Sequence, residues 1–184
     1  MGSNNNLKAI IRKILRDISV ELGDEFDKNF ERQAYFSQSW ARRRSPLRPG
    51  GATLIDSGAL RKSISIRSDE SSVTFSTDKE YAAIHNQGGE ITVTAKMKRF
   101  FWAKYYAAAG SFGRKKDGSL RRDKRTLQLT SEADFWRALA LMKVGKKIRI
   151  PQRQFLGGGA EVEKLVREIV EENMGNLKID FNIK

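Results

Sequence analysis

The chain is predicted to adopt an α+β fold: an antiparallel sheet with a long N-terminal helix and a C-terminal helix packed on one face, plus a helical and loop insert. Three observations predict it. Leu7, Ile10, Ile11, Ile14, Leu15, Ile18, Leu22, Phe26 and Phe30 recur at helical intervals and form an apolar stripe. Ile64 and Ile66, then Val73 and Phe75, alternate with polar residues on either side of Ser68-Asp69-Glu70-Ser71, the pattern of a hairpin with one buried face. Val162, Leu165, Val166, Ile169, Val170 and Met174 give a second helical stripe near the C-terminus. Antiparallel strands with helices on one face bury both kinds of apolar surface in one core.

The elements follow in order. The first helix is expected to run to about Phe36, with charged residues on its other face. SWARRRSPLRPGGATLIDSGAL is an irregular connection, marked by two prolines and a glycine pair. It ends in a short helix capped by Asp56 or Ser57. After the hairpin comes YAAIHNQGG, then a strand in EITVTA that alternates at Ile91 and Val93. KMKRFFWAKYYAAA is aromatic and helix-compatible. Residues 110 to 130 suggest a mobile basic loop, and a helix opens at Ser131, which with Asp134 resembles a capping box. KKIRI is a short strand stopped by Pro151. A loop through Gly157-Gly158-Gly159 leads into the C-terminal helix, with Gly175 as its expected C-cap. Leu177, Ile179, Phe181 and Ile183 then alternate as a half-buried strand, the expected edge for pairing between subunits. The whole reads as one domain, 1–184: the N-terminal helix in 1–36, the sheet core and C-terminal helix in 54–94 and 146–183, and the insert in 95–145.

Composition narrows the chemistry. With no cysteine there is no disulfide, thiol nucleophile or cysteine metal site, and the single histidine excludes a multi-histidine zinc site. No apolar run is long enough to span a bilayer. The N-terminus lacks a signal-peptide layout, and Asn6 breaks the myristoylation pattern, so a soluble protein made in a cytoplasm is expected, with no membrane partner. The net charge of +13 points to a polyanion or an acidic protein partner.

His85 is the residue that most invites a catalytic reading. A general base needs a nucleophile or an orienting carboxylate within reach, and the neighbouring sequence offers neither. Tyr81 and His85 are four apart and share a face of a helical turn. Gly88 and Gly89 supply the positive φ needed to leave that turn. A structural or interface histidine is therefore favoured. Gly157-Gly158-Gly159 lacks the Lys-Ser/Thr of a P-loop, and Glu161 and Glu163 behind it would repel phosphate. Two cation clusters stand out: Arg42, Arg43, Arg44 and Arg48; and Arg114, Lys115, Lys116, Arg121, Arg122, Lys124 and Arg125. They suit phosphate contact or a plain solvated loop. Trp102, Tyr105 and Tyr106 read as core or interface before base-stacking platform. No cofactor motif is present and no enzyme is expected.

LIDSGALRKSI (54–64), YAAIHNQGG (81–89) and IPQRQFLG (150–157), in that order and with a hairpin after the first, resemble the phage virion morphogenesis family, the tail completion or head–tail joining proteins of tailed bacteriophages. The matching positions are Ser57, Gly58 and Leu60; Tyr81, Ala82, Ile84, His85, Gly88 and Gly89; and Pro151, Arg153, Phe155, Leu156 and Gly157. The resemblance implies a non-catalytic structural protein of the virion, encoded by a phage or prophage and made in the bacterial cytoplasm. It further implies a homo-oligomeric ring that contacts tail-tube and head–tail connector proteins. Non-specific DNA contact through residues 114–125 fits genome passage. The alternative is a free, basic nucleic-acid-binding module. A small hydrolase using His85 is the weakest reading.

Overall fold

The structure, a computed structural model, describes residues 2–43, 47 and 50–180, with side chains described for 6–43, 47 and 50–175. The chain divides into two compact units, the first of residues 1–41, 52–87 and 152–184, the second of residues 42–51 and 88–151.

The first unit is built on α1 (Gly2–Arg32). This helix stops four residues before the expected Phe36. Gln33 and Phe36 take positive φ of 56° and 48°, and between and after them run two short strands, β1 (Ala34–Tyr35) and β2 (Gln38–Ser39). Burial of Ala34, Tyr35 and Trp40 rewards this reversal, since a continuing helix would point only part of the segment inward. A turn of helix, α2 (Ala59–Lys62), follows, entered through Gly58 at φ 76°. Ser57 Oγ accepts the Ala59 N–H at 3.3 Å. The antiparallel hairpin is β3 (Ile64–Ser68) and β4 (Val73–Thr77), with Ile66 opposite Phe75. Asp69 holds its turn by accepting the N–H groups of Ser71 and Ser72. Helix α3 is Ala82–Gln87. Helix α6 is Ala160–Asp180 and packs on α1, which also packs on β3 and β4.

In place of the expected C-terminal strand, helix α6 passes through Gly175 and covers 177–180, while 181–184 lie outside the described residues. A helix satisfies its own backbone, whereas a strand here needs a partner. Gly175 inside the helix costs only about 1 kcal/mol relative to alanine.

The second unit contains β5 (Gly89–Thr92), α4 (Ala95–Gly110), α5 (Lys124–Ala140) and β6 (Lys147–Ile150). Strands β5 and β6 pair antiparallel, Ile91 opposite Ile148. Helices α4 and α5 pack together through Phe101 and Trp136, whose rings stack with centroids 5.9 Å apart. The start of α5 also differs from expectation. Asp123 is its N-cap, accepting the Thr126 N–H at 2.8 Å, and Ser131 lies mid-helix. The expected mobile loop is in fact a tied hairpin followed by two turns of α5.

Thus the class is α+β, with three separate two-stranded antiparallel ladders among the described residues in place of one sheet. Alternation in a sequence reveals that a strand has two faces; it does not reveal which strand it pairs with.

Candidate functional site

The first unit's core gathers Leu22, Phe26, Phe30, Tyr35, Trp40, Leu60, Ala82, Phe155 and Leu156. Four of the motif residues, Leu60, Ala82, Phe155 and Leu156, are therefore core. Phe155 is 1% exposed and stacks obliquely on Phe30 at 5.3 Å. The segment 153–157 is not a helix or a strand, yet it is fastened at each residue. Arg153 N–H donates to the His85 carbonyl at 2.7 Å. Trp40 Nε1 donates to the Gln154 carbonyl at 2.7 Å. Asn86 Oδ1 accepts the N–H groups of Phe155 and Leu156 at 2.8 and 3.0 Å, and Asn86 Nδ2 donates to the Leu156 carbonyl at 3.0 Å. Asn29 Nδ2 reaches the Phe155 carbonyl at 3.4 Å, and the Tyr35 hydroxyl donates to the Gly157 carbonyl. Burial, with the Glu161 carboxylate nearby, pushes the Tyr35 hydroxyl up to about 12, so it stays a donor. A buried loop is tolerated only when its backbone groups find partners; α1, β1–β2 and α3 supply them. Gly157 leaves the latch at φ 118°, a conformation that suits glycine.

His85 is half-buried in this arrangement. Its ring meets the exposed Tyr81 ring edge-on, centroids 6.2 Å apart. Its backbone carbonyl is bonded, whereas Nδ1 is buried without a hydrogen-bond partner. Burial, then the nearby Arg153 guanidinium, lowers its pKa, so the ring is neutral at pH 7. Arg153 Nε donates to the Ala41 carbonyl at 3.0 Å. His85 thus packs edge-on against Tyr81, while its backbone carbonyl, in α3, holds Arg153. Asn29 and Asn86 are the residues that sequence reasoning passed over. Asn29 interrupts the apolar stripe of α1 between Phe26 and Phe30 and is fully buried, and its Oδ1 accepts the Phe36 N–H at 2.9 Å. A polar residue on an apolar face was the available signal. Asn86 sat inside the quoted motif.

Three motif residues, Gly88, Gly89 and Pro151, belong to the second unit. Gly88 and Gly89 take φ of 73° and 148° as the chain leaves α3, and Gly89 pairs with Ile150. Pro151 ends β6 and is exposed.

The seven cations of 114–125 are all exposed. Lys115 N–H donates to the Ser119 carbonyl at 2.8 Å and Arg121 N–H to the Gly113 carbonyl at 2.8 Å, which closes a hairpin with a bridge between Arg114 and Leu120. Of the other cluster, Arg42 is exposed and Arg43 partly so, while Arg44 and Arg48 lie outside the described residues. Trp102 and Tyr105 pack on the core of the second unit, and Tyr106 stacks on Trp102 at 5.8 Å.

Among the described residues no group of three His, Asp or Glu side chains is placed to hold a metal ion, and no helix is long and apolar enough to cross a membrane. The model of the phage virion morphogenesis family matches residues 3–175. No curated protein and no solved structure matches the chain.

Proposed function

The chain belongs to the phage virion morphogenesis family, which gives it a structural role in building the phage particle, and we propose that within this role it completes the tail, joins the tail to the head, or does both, without catalysis. The family match over nearly the whole chain is the observation that carries the reading. The geometry of the motif supports it: the backbone carbonyl of His85 and the side chain of Asn86 hold the segment that closes the core. Among the described residues no nucleophile or carboxylate bonds the His85 ring, and Asn86 spends three hydrogen bonds on the backbone it grips. On this reading the protein acts in the virion as a homo-oligomeric ring between tail-tube and connector proteins, after synthesis in the host cytoplasm.

Deletion of the gene from the parent phage or prophage, followed by induction and negative-stain microscopy, tests it. Filled heads beside unattached or abnormally long tails are expected. Normal infectious virions would overturn it.

A further inference from the structure

A joint between protein parts does not by itself require the charge distribution this chain has. The second unit carries 20 Lys/Arg and 5 Asp/Glu, a net +15, while the remainder carries 15 and 17, a net −2; together they give the chain's +13. The two units also treat their cations differently. In the first, Arg61 is forked onto Asp27 and reaches Glu31 at 2.7 Å, Arg32 meets Glu25 at 2.7 Å, and Lys13 meets Asp17 at 2.9 Å. In the second, Lys147 with Glu90 at 2.8 Å is the one ion pair among the described residues.

The hairpin concentrates this imbalance. Its two carboxylates are engaged locally: Asp117 accepts Ser119 N–H and Oγ–H at 2.9 and 2.6 Å, and Asp123 caps α5. Those bonds hold both carboxyls below the usual range. Arg114 and Arg121 brace the turn, donating to the carbonyls of Gly118 and Arg114 at 3.0 and 3.1 Å. Lys115, Lys116, Arg122, Lys124 and Arg125 are left exposed and, among the described residues, without an ion-pair partner.

We propose that this hairpin and the first turn of α5 dock on the phosphate backbone of duplex DNA without reading its sequence. Phosphate contact needs clustered, unneutralised cations, and it needs no apolar anchor. A protein partner would favour aromatic anchors and few lysines at the centre of the contact, whereas this surface has no aromatic side chain and two separate leucines, Leu120 and Leu127, 39% and 60% exposed. Single-strand binding uses free aromatic faces, and residues 114–125 contain no aromatic side chain. The backbone ties at 113–121 fix the turn before binding, which lowers the ordering cost. The inference goes beyond tail completion and stands apart from it, because solution binding and particle counts are separate readouts.

The test uses the full chain, a fluorescently labelled 30-base-pair duplex and anisotropy titrations across a salt series. Two variants lose the same five charges: Lys115, Lys116, Arg122, Lys124 and Arg125 to Ser, and, as a control in the first unit, Lys8, Arg12, Arg16, Lys62 and Arg67 to Ser. The hairpin variant should bind at least tenfold more weakly at 100 mM salt, with the log–log salt slope reduced by about 0.9 for each phosphate contact removed. The control should keep most of both, and duplexes of unrelated sequence should bind alike. Circular dichroism checks folding; the tip pair Lys115→Glu with Lys116→Glu is a third variant that replaces the fivefold hairpin one should it misfold. Equal losses in hairpin and control variants, unchanged binding in the hairpin variants, or poly-glutamate binding as tight as duplex would each overturn the proposal.

Discussion

The first unit neutralises itself, and the second does not. In the first, a large aromatic core is enclosed by a loop whose backbone is bonded residue by residue, and cations lie against carboxylates. In the second, a small core of Phe101, Trp136 and Ala140 joins two helices, and carboxylates cap turns while cations face solvent. Internal pairing offsets repulsion and makes the first unit's surface a contributor to its own stability. Cations without a carboxylate partner make no such contribution to the second unit. The contrast teaches that internally paired and unpaired charge are carried by different segments, although the sequence interleaves them.

Four changes bear on that contrast, in descending size. Phe155→Ala should cost about 3–5 kcal/mol, the range for a buried phenylalanine, measured by chemical denaturation; a loss below about 1 kcal/mol would mean the latch loop is not core. Arg61→Ala removes a forked, partly exposed ion pair and should cost about 1 kcal/mol at low salt, less at high salt. An unchanged midpoint would place the first unit's charges beside the second unit's as decoration.

The pH profile comes next. Hydrogen bonding from Arg61 lowers the Asp27 carboxyl, and Arg32 with Lys28 lowers Glu25. The unfolded chain then binds these protons first, so the stabilisation is present above the ordinary values of 3.8 and 4.5 and is lost as pH falls below them. His85 is also lowered, below its ordinary 6.5, so acidification from pH 6.5 destabilises before the carboxylates titrate. His85→Gln should remove the upper part of the decline and leave the lower part. A profile flat between pH 6.5 and 5 in the parent protein would contradict the burial of the ring. The smallest effect is expected from Lys115, Lys116 and Arg122 to Ser, within about 0.5 kcal/mol of the parent in a thermal melt. A large loss there would show these cations are structural after all.

Much of the fold was legible because α1, the hairpin and α6 bury large side chains at regular intervals. The start of α5 was not, because its buried face is Thr126, Ala133, Trp136 and Ala140, and small residues leave a faint periodic trace. Asp123 and Ser131 are equally good caps in isolation; packing chose the first. The end of α1 was hidden because a positive φ at Gln33 and Phe36 has no compositional mark. At the motif, the resemblance marked Leu60, Phe155 and Leu156, and the structure adds that all three are buried. The grip of Asn29 and Asn86 was not, since each bonds to backbone far along the chain, and a lone asparagine announces no partner.

The central claim is that the motif is a latch that closes a core. Equilibrium denaturation of Asn86→Ala beside the parent chain tests it most directly, with Trp40 kept as the fluorophore by Trp102→Phe and Trp136→Phe in both. Two buried N–H groups and one carbonyl lose their partner, so a loss of about 2–4 kcal/mol is predicted. Unchanged stability, with virion assembly nevertheless lost, would show that Asn86 acts on something outside the chain and would contradict the latch.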